Sequence, residues 1–159
     1  MFTPPPIALP TEAETAALAA ALARRLTVGD TILLEGPVGA GKTAFARAFI
    51  RARLGAPDEE VPSPTFTLVQ TYPHPDGDLW HADLYRLSHP DEAVELGLDE
   101  AFETAICLVE WPDRLGTLAP RTALHLAMAA TEAGHVATLS GPDPWATRLS
   151  GLLAASTDA

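Results

Sequence analysis

Apolar and polar residues divide the chain into helix-like and strand-like segments. Residues 11–26 are rich in Ala and Leu and begin with capping-box spacing, in which Thr11 is the N-cap and Glu14 reaches back to it, so a helix is predicted there. A second helix is predicted over 42–54, because Gly55 is a favourable residue just beyond a helix end. Short helices are also predicted at 91–96, at 99–102 and near Pro144.

The segments between these helices have the patterns of strands. Residues 31–35 and 106–109 are short apolar runs, which indicate strands that are buried on both faces. Residues 66–72 alternate as a half-buried strand does, and residues 79–85 return after a turn, so these two segments are predicted to form a hairpin. A second hairpin is predicted from 122–128 and 135–139, with its turn at 132–134.

Length and element order bound the organisation of the chain. The 159 residues suit one domain with a single core, and no linker divides them. Residues 1–10 are rich in Pro and are predicted to be an extended lead-in, and residues 155–159 a disordered tail. The elements together predict an α/β fold with a mixed central sheet, antiparallel hairpin additions and flanking helices.

Composition and charge exclude several classes of protein. Hydrophobic residues make up 47% of the chain and charged residues 19%, which favours a folded protein over a disordered one. We expect no membrane association and a cytoplasmic location, because no apolar run approaches the roughly 20 residues of a membrane span and the N-terminus lacks a signal-peptide pattern. The net charge of −11 does not fit a protein that grips nucleic acid by itself, so any nucleic acid would be held by a partner.

The most specific pattern is GxxxxGK[ST], which the chain matches from Gly36 to Thr43. It lies between a predicted strand and a predicted helix, as in a P-loop, and it indicates a P-loop NTPase-like three-layer fold. Lys42, the only Lys in the chain, is expected to reach the β- and γ-phosphates, and the Thr43 hydroxyl to bind Mg²⁺. The residues expected to wrap the phosphates through their backbone N–H groups are Gly36, Val38, Gly39, Ala40, Gly41 and Ala44.

A P-loop needs a further carboxylate on the magnesium side, and two residues qualify. Glu110 directly follows the buried strand 106–109, at the carboxyl end where ligands sit in open α/β sheets. Asp83 lies on the returning arm of the first predicted hairpin. Either acid could be the direct metal ligand while the other orients the attacking water.

Two more residues have both a functional and a structural interpretation. Thr65 could meet the γ-phosphate or the metal, as switch threonines do, or it could only begin a strand after Pro64. Trp111 could be a core residue, or a lid over the nucleotide or a partner surface.

Four motifs in order resemble the bacterial TsaE (YjeE-like) family, and the resemblance covers nearly the whole chain. They are the P-loop, Ser63-Pro64-Thr65-Phe66-Thr67-Leu68-Val69, His81-Ala82-Asp83-Leu84-Tyr85-Arg86-Leu87, and Ile106-Cys107-Leu108-Val109-Glu110-Trp111-Pro112. The resemblance implies an ATP- and Mg²⁺-dependent ATPase required for threonylcarbamoylation of adenosine 37 in ANN-decoding tRNAs. The family acts on the threonylcarbamoyl transferase subunit and its non-catalytic paralogue, reaches tRNA through that complex, and is not thought to transfer the group itself.

The resemblance also implies roles for single residues. Glu110 matches the metal-side glutamate of the family, Asp83 its essential acid, Thr65 its switch-like threonine and Trp111 its nucleotide-proximal tryptophan. Residues that match positions near the adenine are Pro10, Thr11 and His135.

The chain departs from the family pattern at three positions. Pro37 replaces the usual Asp and removes one backbone donor from the P-loop. Ala44 replaces a Thr and loses a side-chain contact to the α-phosphate, and His135 stands where an Arg is common.

Two other nucleotide-dependent classes compete with an ATPase. A small-molecule P-loop kinase generally carries an Arg-rich lid, whereas the arginines after Arg53 are scattered. A GTP-binding switch generally carries an Asn-Lys-x-Asp motif, whereas the chain contains no Asn and no second Lys. Both classes fit less well than an ATPase that is slow alone and stimulated by its partners.

Overall fold

A computed structural model describes residues 1–152, and the predicted tail at 155–159 lies outside them. The strands are β1 (Ile7–Leu9), β2 (Thr31–Glu35), β3 (Val69–Tyr72), β4 (Leu79–Asp83), β5 (Ile106–Glu110), β6 (Leu124–Thr131) and β7 (Gly134–Ser140). The helices are α1 (Glu12–Ala23), α2 (Lys42–Leu54), α3 (Asp91–Glu95), α4 (Leu98–Thr104) and α5 (Pro144–Arg148), with a 3₁₀ segment at Pro112–Leu118. None of the helices in the described part of the chain is long and apolar enough to cross a membrane.

All seven strands form one mixed sheet in the order β1-β7-β6-β2-β5-β4-β3. The four inner strands β6, β2, β5 and β4 are parallel, and β3, β7 and β1 extend the sheet by antiparallel pairing. The predicted α/β fold with a mixed central sheet, hairpin additions and flanking helices is therefore confirmed. Both predicted hairpins are present, as β3–β4 and β6–β7.

The apolar runs of β2 and β5 are explained by burial on both faces of the sheet. Ile32 and Leu34 pack in one core cluster with Phe49 of α2. Leu33, between them, belongs to a second cluster with Phe102 of α4 on the opposite face. Successive side chains of a strand point to opposite faces. In a strand between two helical layers both sets are buried, so nearly all of its residues are apolar.

Part of the predicted N-terminal lead-in joins the sheet as a strand. Ile7 pairs with Ala137 and Leu9 with His135, which makes β1 the edge strand next to β7. This tripeptide lies between prolines at 6 and 10, so it is the part of the lead-in that keeps consecutive N–H groups for a ladder. It covers the edge of β7, which would otherwise be open.

Several predicted boundaries differ from those of the structure. The strand predicted at 66–72 begins only at Val69, because the Leu68 N–H donates to the Pro64 carbonyl over 2.7 Å and Leu68 has a φ of +70°. The first helix ends at Ala23, where the chain tightens into a turn before residue 26. The 3₁₀ segment after β5 is not predicted from the sequence.

Candidate functional site

The P-loop leaves the carboxyl end of β2, in the centre of the sheet, and leads into α2. Gly36 has a φ of +139°, and a Cβ there would lie 2.3 Å from the Met128 carbonyl oxygen, so the sharp turn out of β2 requires Gly. Gly41 has a φ of +99° and is the N-cap of α2. The loop thus exposes backbone N–H groups at a helix N-terminus, an arrangement that binds anions.

Lys42 is held inside the site. Its side chain is almost completely buried, and its Nζ donates to the Gly36 carbonyl. Nζ also lies 3.5 Å from the ring centroid of Trp111, which is a cation–π contact. Burial lowers the pKa of Lys42, and the negative charges of Glu110 and Asp83 oppose that shift. The ammonium is therefore positioned over the loop by backbone, ring and carboxylates together.

Glu110 and Thr43 bring two oxygen atoms together beside the P-loop. Glu110 is the last residue of β5, lies opposite Leu34 in the register with β2, and is 2% exposed. Its Oε1 accepts a hydrogen bond from the Thr43 hydroxyl over 3.1 Å. Adjacent ligands of an octahedral Mg²⁺ with bonds of about 2.1 Å lie about 3.0 Å apart. The pair therefore fits a shared magnesium ion in both chemistry and spacing.

Asp83 lies on the next strand and is held by the loop that precedes β3. It is the last residue of β4 and pairs with Glu110 in the register. Its Oδ2 accepts from the Thr65 hydroxyl over 3.3 Å, and its Oδ1 accepts from the Tyr85 N–H over 3.1 Å. Thr65 is also 2.8 Å from the Ser63 hydroxyl. The second acid and the switch-like threonine thus share one hydrogen-bond chain.

Trp111 covers one side of the site and also packs against the second core cluster. It directly follows β5 and has a φ of +59°, which is rare for a residue other than Gly. Its ring centroid lies 5.0 Å from that of Tyr85, whose side chain is half exposed. Trp111 therefore packs against the core and also lines the cleft, so its role as a lid stays a prediction.

These groups line an open cleft of about 470 Å³. The residues that line it are Val38, Gly39, Gly41, Lys42, Thr43, Ala44, Thr65, Asp83, Tyr85, Glu110, Trp111 and His135. Gly36 and Ala40 belong to the same loop but do not line the cleft. Pro10 and Thr11 lie outside the lining as well, at a point where the Pro10 backbone closely approaches Gly134.

Two residues in or next to the site, Tyr85 and His81, are not predicted from the sequence. Tyr85 packs against Trp111 with its ring tilted by 54° and lines the cleft. His81 is fully buried in β4, and its Nε2 lies 2.7 Å from Glu110 Oε2. The available signal for His81 was a polar residue two positions before Asp83 in an otherwise apolar strand, which places both on one face.

The chain is similar in sequence to the proteins of one family. The family model of "Threonylcarbamoyl adenosine biosynthesis protein TsaE" matches residues 9–137, a range that contains the P-loop and both acids. A Rickettsia bellii protein named "tRNA threonylcarbamoyladenosine biosynthesis protein TsaE" is 42% identical over 112 residues, which is 70% of this chain and 77% of that protein. A Bacillus subtilis protein of the same name is 40% identical over 114 residues, 71% of this chain and 70% of that protein.

Coverage differs among the relatives. The match to the Rickettsia conorii protein of that name, 44% identical over 105 residues, spans only 59% of that protein. Among solved structures, the crystal structure of YdiB from Bacillus subtilis superposes with a TM-score of 0.74 at 28% sequence identity, covering 96% of each chain. The similarity therefore extends over the whole sheet as well as the motifs.

Proposed function

The chain belongs to the TsaE family, and from that premise we propose that it binds ATP with Mg²⁺ and hydrolyses the ATP for the biosynthesis of threonylcarbamoyladenosine in tRNA. The observation that carries the proposal is the convergence of Thr43, Asp83 and Glu110 beside the P-loop, on three neighbouring elements. A loop that only turned between strand and helix would not need two buried carboxylates at its side.

The phosphates would be bound by the P-loop. Its N–H groups and the N-terminus of α2 favour negative charge, and Lys42 supplies the only Lys or Arg charge among the described residues that line the cleft. Thr43 Oγ1 and Glu110 Oε1 would hold Mg²⁺, which when bound neutralises charge on the β- and γ-phosphate oxygens. Pro10, Thr11 and His135 would lie toward the adenine.

Asp83 is proposed to orient the attacking water. Its Oδ2 accepts a hydrogen bond from Thr65, and Asp83 is buried but lines the cleft. Glu110 is assigned to the metal side, because its Oε1 is bonded to the Thr43 hydroxyl, the other oxygen proposed to hold Mg²⁺. We therefore propose that Glu110 is the direct metal ligand and that Asp83 orients the water.

The hydrolysis is proposed to be slow until partners complete the site. Arg86 and Arg114 lie over the rings of Phe66 and Tyr85, at 4.6 and 5.9 Å from the centroids, and neither lines the cleft. An arginine finger contributes a factor on the order of 10³–10⁵ in rate in related phosphate chemistry. The threonylcarbamoyl transferase subunit and its non-catalytic paralogue are the proposed partners, and tRNA would be reached through them.

The decisive experiment measures ATP hydrolysis with and without the transferase subunits and tRNA. We expect slow hydrolysis alone, stimulation by the partners, and a loss on the order of 10²-fold or more in Glu110→Gln and Asp83→Asn. Glu35→Gln is the matched control, because Glu35 also ends a strand and contacts a His but does not line this cleft. Fast hydrolysis that partners do not change, or full activity in both acid variants, would contradict the proposal.

A further inference from the structure

His81 is a buried polar residue that the proposed reaction leaves without a role. It lies inside β4, opposite Leu108 of β5, and is completely inaccessible to solvent. It does not line the cleft, so it does not touch a nucleotide bound there. Among residues 1–152, the one hydrogen-bond partner of its side chain is Glu110, and its Nδ1 has none.

We propose that His81 is a positioning residue, which binds Glu110 Oε2 and thereby directs Glu110 Oε1 toward Thr43 and the magnesium ion. The proposal deepens the function given above and rests on it. Its structural basis is that the two oxygens of the Glu110 carboxylate have different partners. Oε2 faces His81 at 2.7 Å and Oε1 faces the Thr43 hydroxyl at 3.1 Å.

The hydrogen-bond partners assign the tautomer of His81. A carboxylate oxygen only accepts hydrogen bonds, so the short contact requires the imidazole proton on Nε2. A proton on Nδ1 would place two lone pairs against each other at 2.7 Å and leave a buried N–H unpaired, since Nδ1 has no partner. His81 therefore donates to Glu110 through Nε2 and makes no competing bond.

A hydrogen bond at this place fixes the rotation of the carboxylate. The terminal torsion of Glu has a broad preference, so packing alone does not decide which oxygen faces the cleft. Carboxylates that bind metals are usually hydrogen-bonded by a second residue, and losing that residue typically costs 10–100-fold in metal affinity or activity. The donor comes from β4, the strand next to β5, so the sheet register itself holds the pair.

The test measures ADP binding by calorimetry in Mg²⁺ and in EDTA, with folding checked by circular dichroism. In His81→Leu we expect ADP affinity in EDTA to stay within about 2-fold of the unsubstituted protein, while the gain from Mg²⁺ falls by about 10–100-fold. His81→Gln should restore most of that gain, because its amide nitrogen stands near the position of Nε2. If His81→Leu does not fold, His81→Asn replaces it with the same expectation, since its amide lies near Nδ1 and falls short of Oε2.

His125→Leu is the control, because His125 also contacts a strand-end carboxylate, Glu35, at 3.1 Å but at the surface. It should keep the full gain from Mg²⁺. The proposal is overturned by an undiminished gain in the folded His81→Leu variant, by equal losses in Mg²⁺ and EDTA, or by failure of folded His81→Gln to restore the gain. If the unsubstituted protein binds no ADP, the proposed function itself fails, which is a separate result.

Discussion

At the scale of single residues, the contact between Lys42 and Trp111 predicts a fluorescence signal for nucleotide binding. Its ammonium rests against the Trp111 ring, a contact worth about 0.5–2 kcal/mol, whereas hydrogen bonds to charged groups are worth about 1.5–3 kcal/mol each. Phosphates should therefore draw the ammonium away from the ring. We predict that ADP changes the tryptophan fluorescence of the protein and that Trp111→Phe loses this response, although Trp80 and Trp145 remain.

Calorimetry on the same variant separates signal from binding. Trp111→Phe should still bind ADP within about 30-fold, because the ring contributes at most about 2 kcal/mol to the position of Lys42. An undiminished fluorescence change in Trp111→Phe would show that the signal arises elsewhere.

The same scale shows which site residues the sequence can and cannot reveal. Lys42, Thr43 and Glu110 are recognisable because a local motif or a strand end fixes their position. His81 is not, because its only described partner lies 29 residues away and the contact exists only once β4 and β5 pair. Its residue type alone fits a core residue equally well.

At the scale of elements, the contact between Pro10 and the β6–β7 hairpin carries a prediction. A Cβ at Gly134 would lie 2.7 Å from the Pro10 Cα and carbonyl oxygen, and Gly134 has a φ of +126°. Gly134→Ala should therefore destabilise the protein by about 2 kcal/mol or more and displace β1. ADP binding should also weaken, because Pro10 and His135 are proposed to face the adenine.

Gly55→Ala is the matched control for backbone strain. Gly55 ends α2 with a φ of +64°, and a Cβ there meets nothing within 4 Å. Its substitution should cost about 1–2 kcal/mol in the free energy of unfolding, measured with denaturant, and leave ADP affinity unchanged. Equal stability losses with unchanged ADP affinity in both variants would contradict the role given to the Pro10–Gly134 contact.

Elements differ in how well the sequence predicts them for a physical reason. β2 and β5 are predictable because burial on two faces leaves an unbroken apolar run. β1 carries no such pattern: it is three residues long, and it is a strand only because β7 offers an edge more than 120 residues later. The turn before β3 is also not predicted from the sequence, because the apolar side chain of Leu68 suits a strand whereas its backbone is left-handed.

At the scale of the whole molecule, the parallel centre of the sheet explains why the site forms at the carboxyl ends of its strands. Thr43 follows β2, Asp83 ends β4 and Glu110 ends β5, and these three strands are parallel in the order β2-β5-β4. The carboxyl ends of these strands lie side by side, so residues far apart in sequence converge there. A prediction of topology is therefore also a prediction of the site.

The charge of the whole molecule decides how it can take part in tRNA modification. A protein that neutralises six to ten phosphates needs a basic face to bind them. Its affinity falls about 10³–10⁵-fold between 50 and 200 mM salt. This chain carries a net charge of −11. We predict that it does not retard tRNA in a gel-shift assay even at about 50 mM salt, and that it joins a tRNA complex only when the transferase subunits are present. Retardation by the chain alone that weakens steeply with salt would mean that it contacts the phosphates directly, and the partners would then not be needed to hold the tRNA.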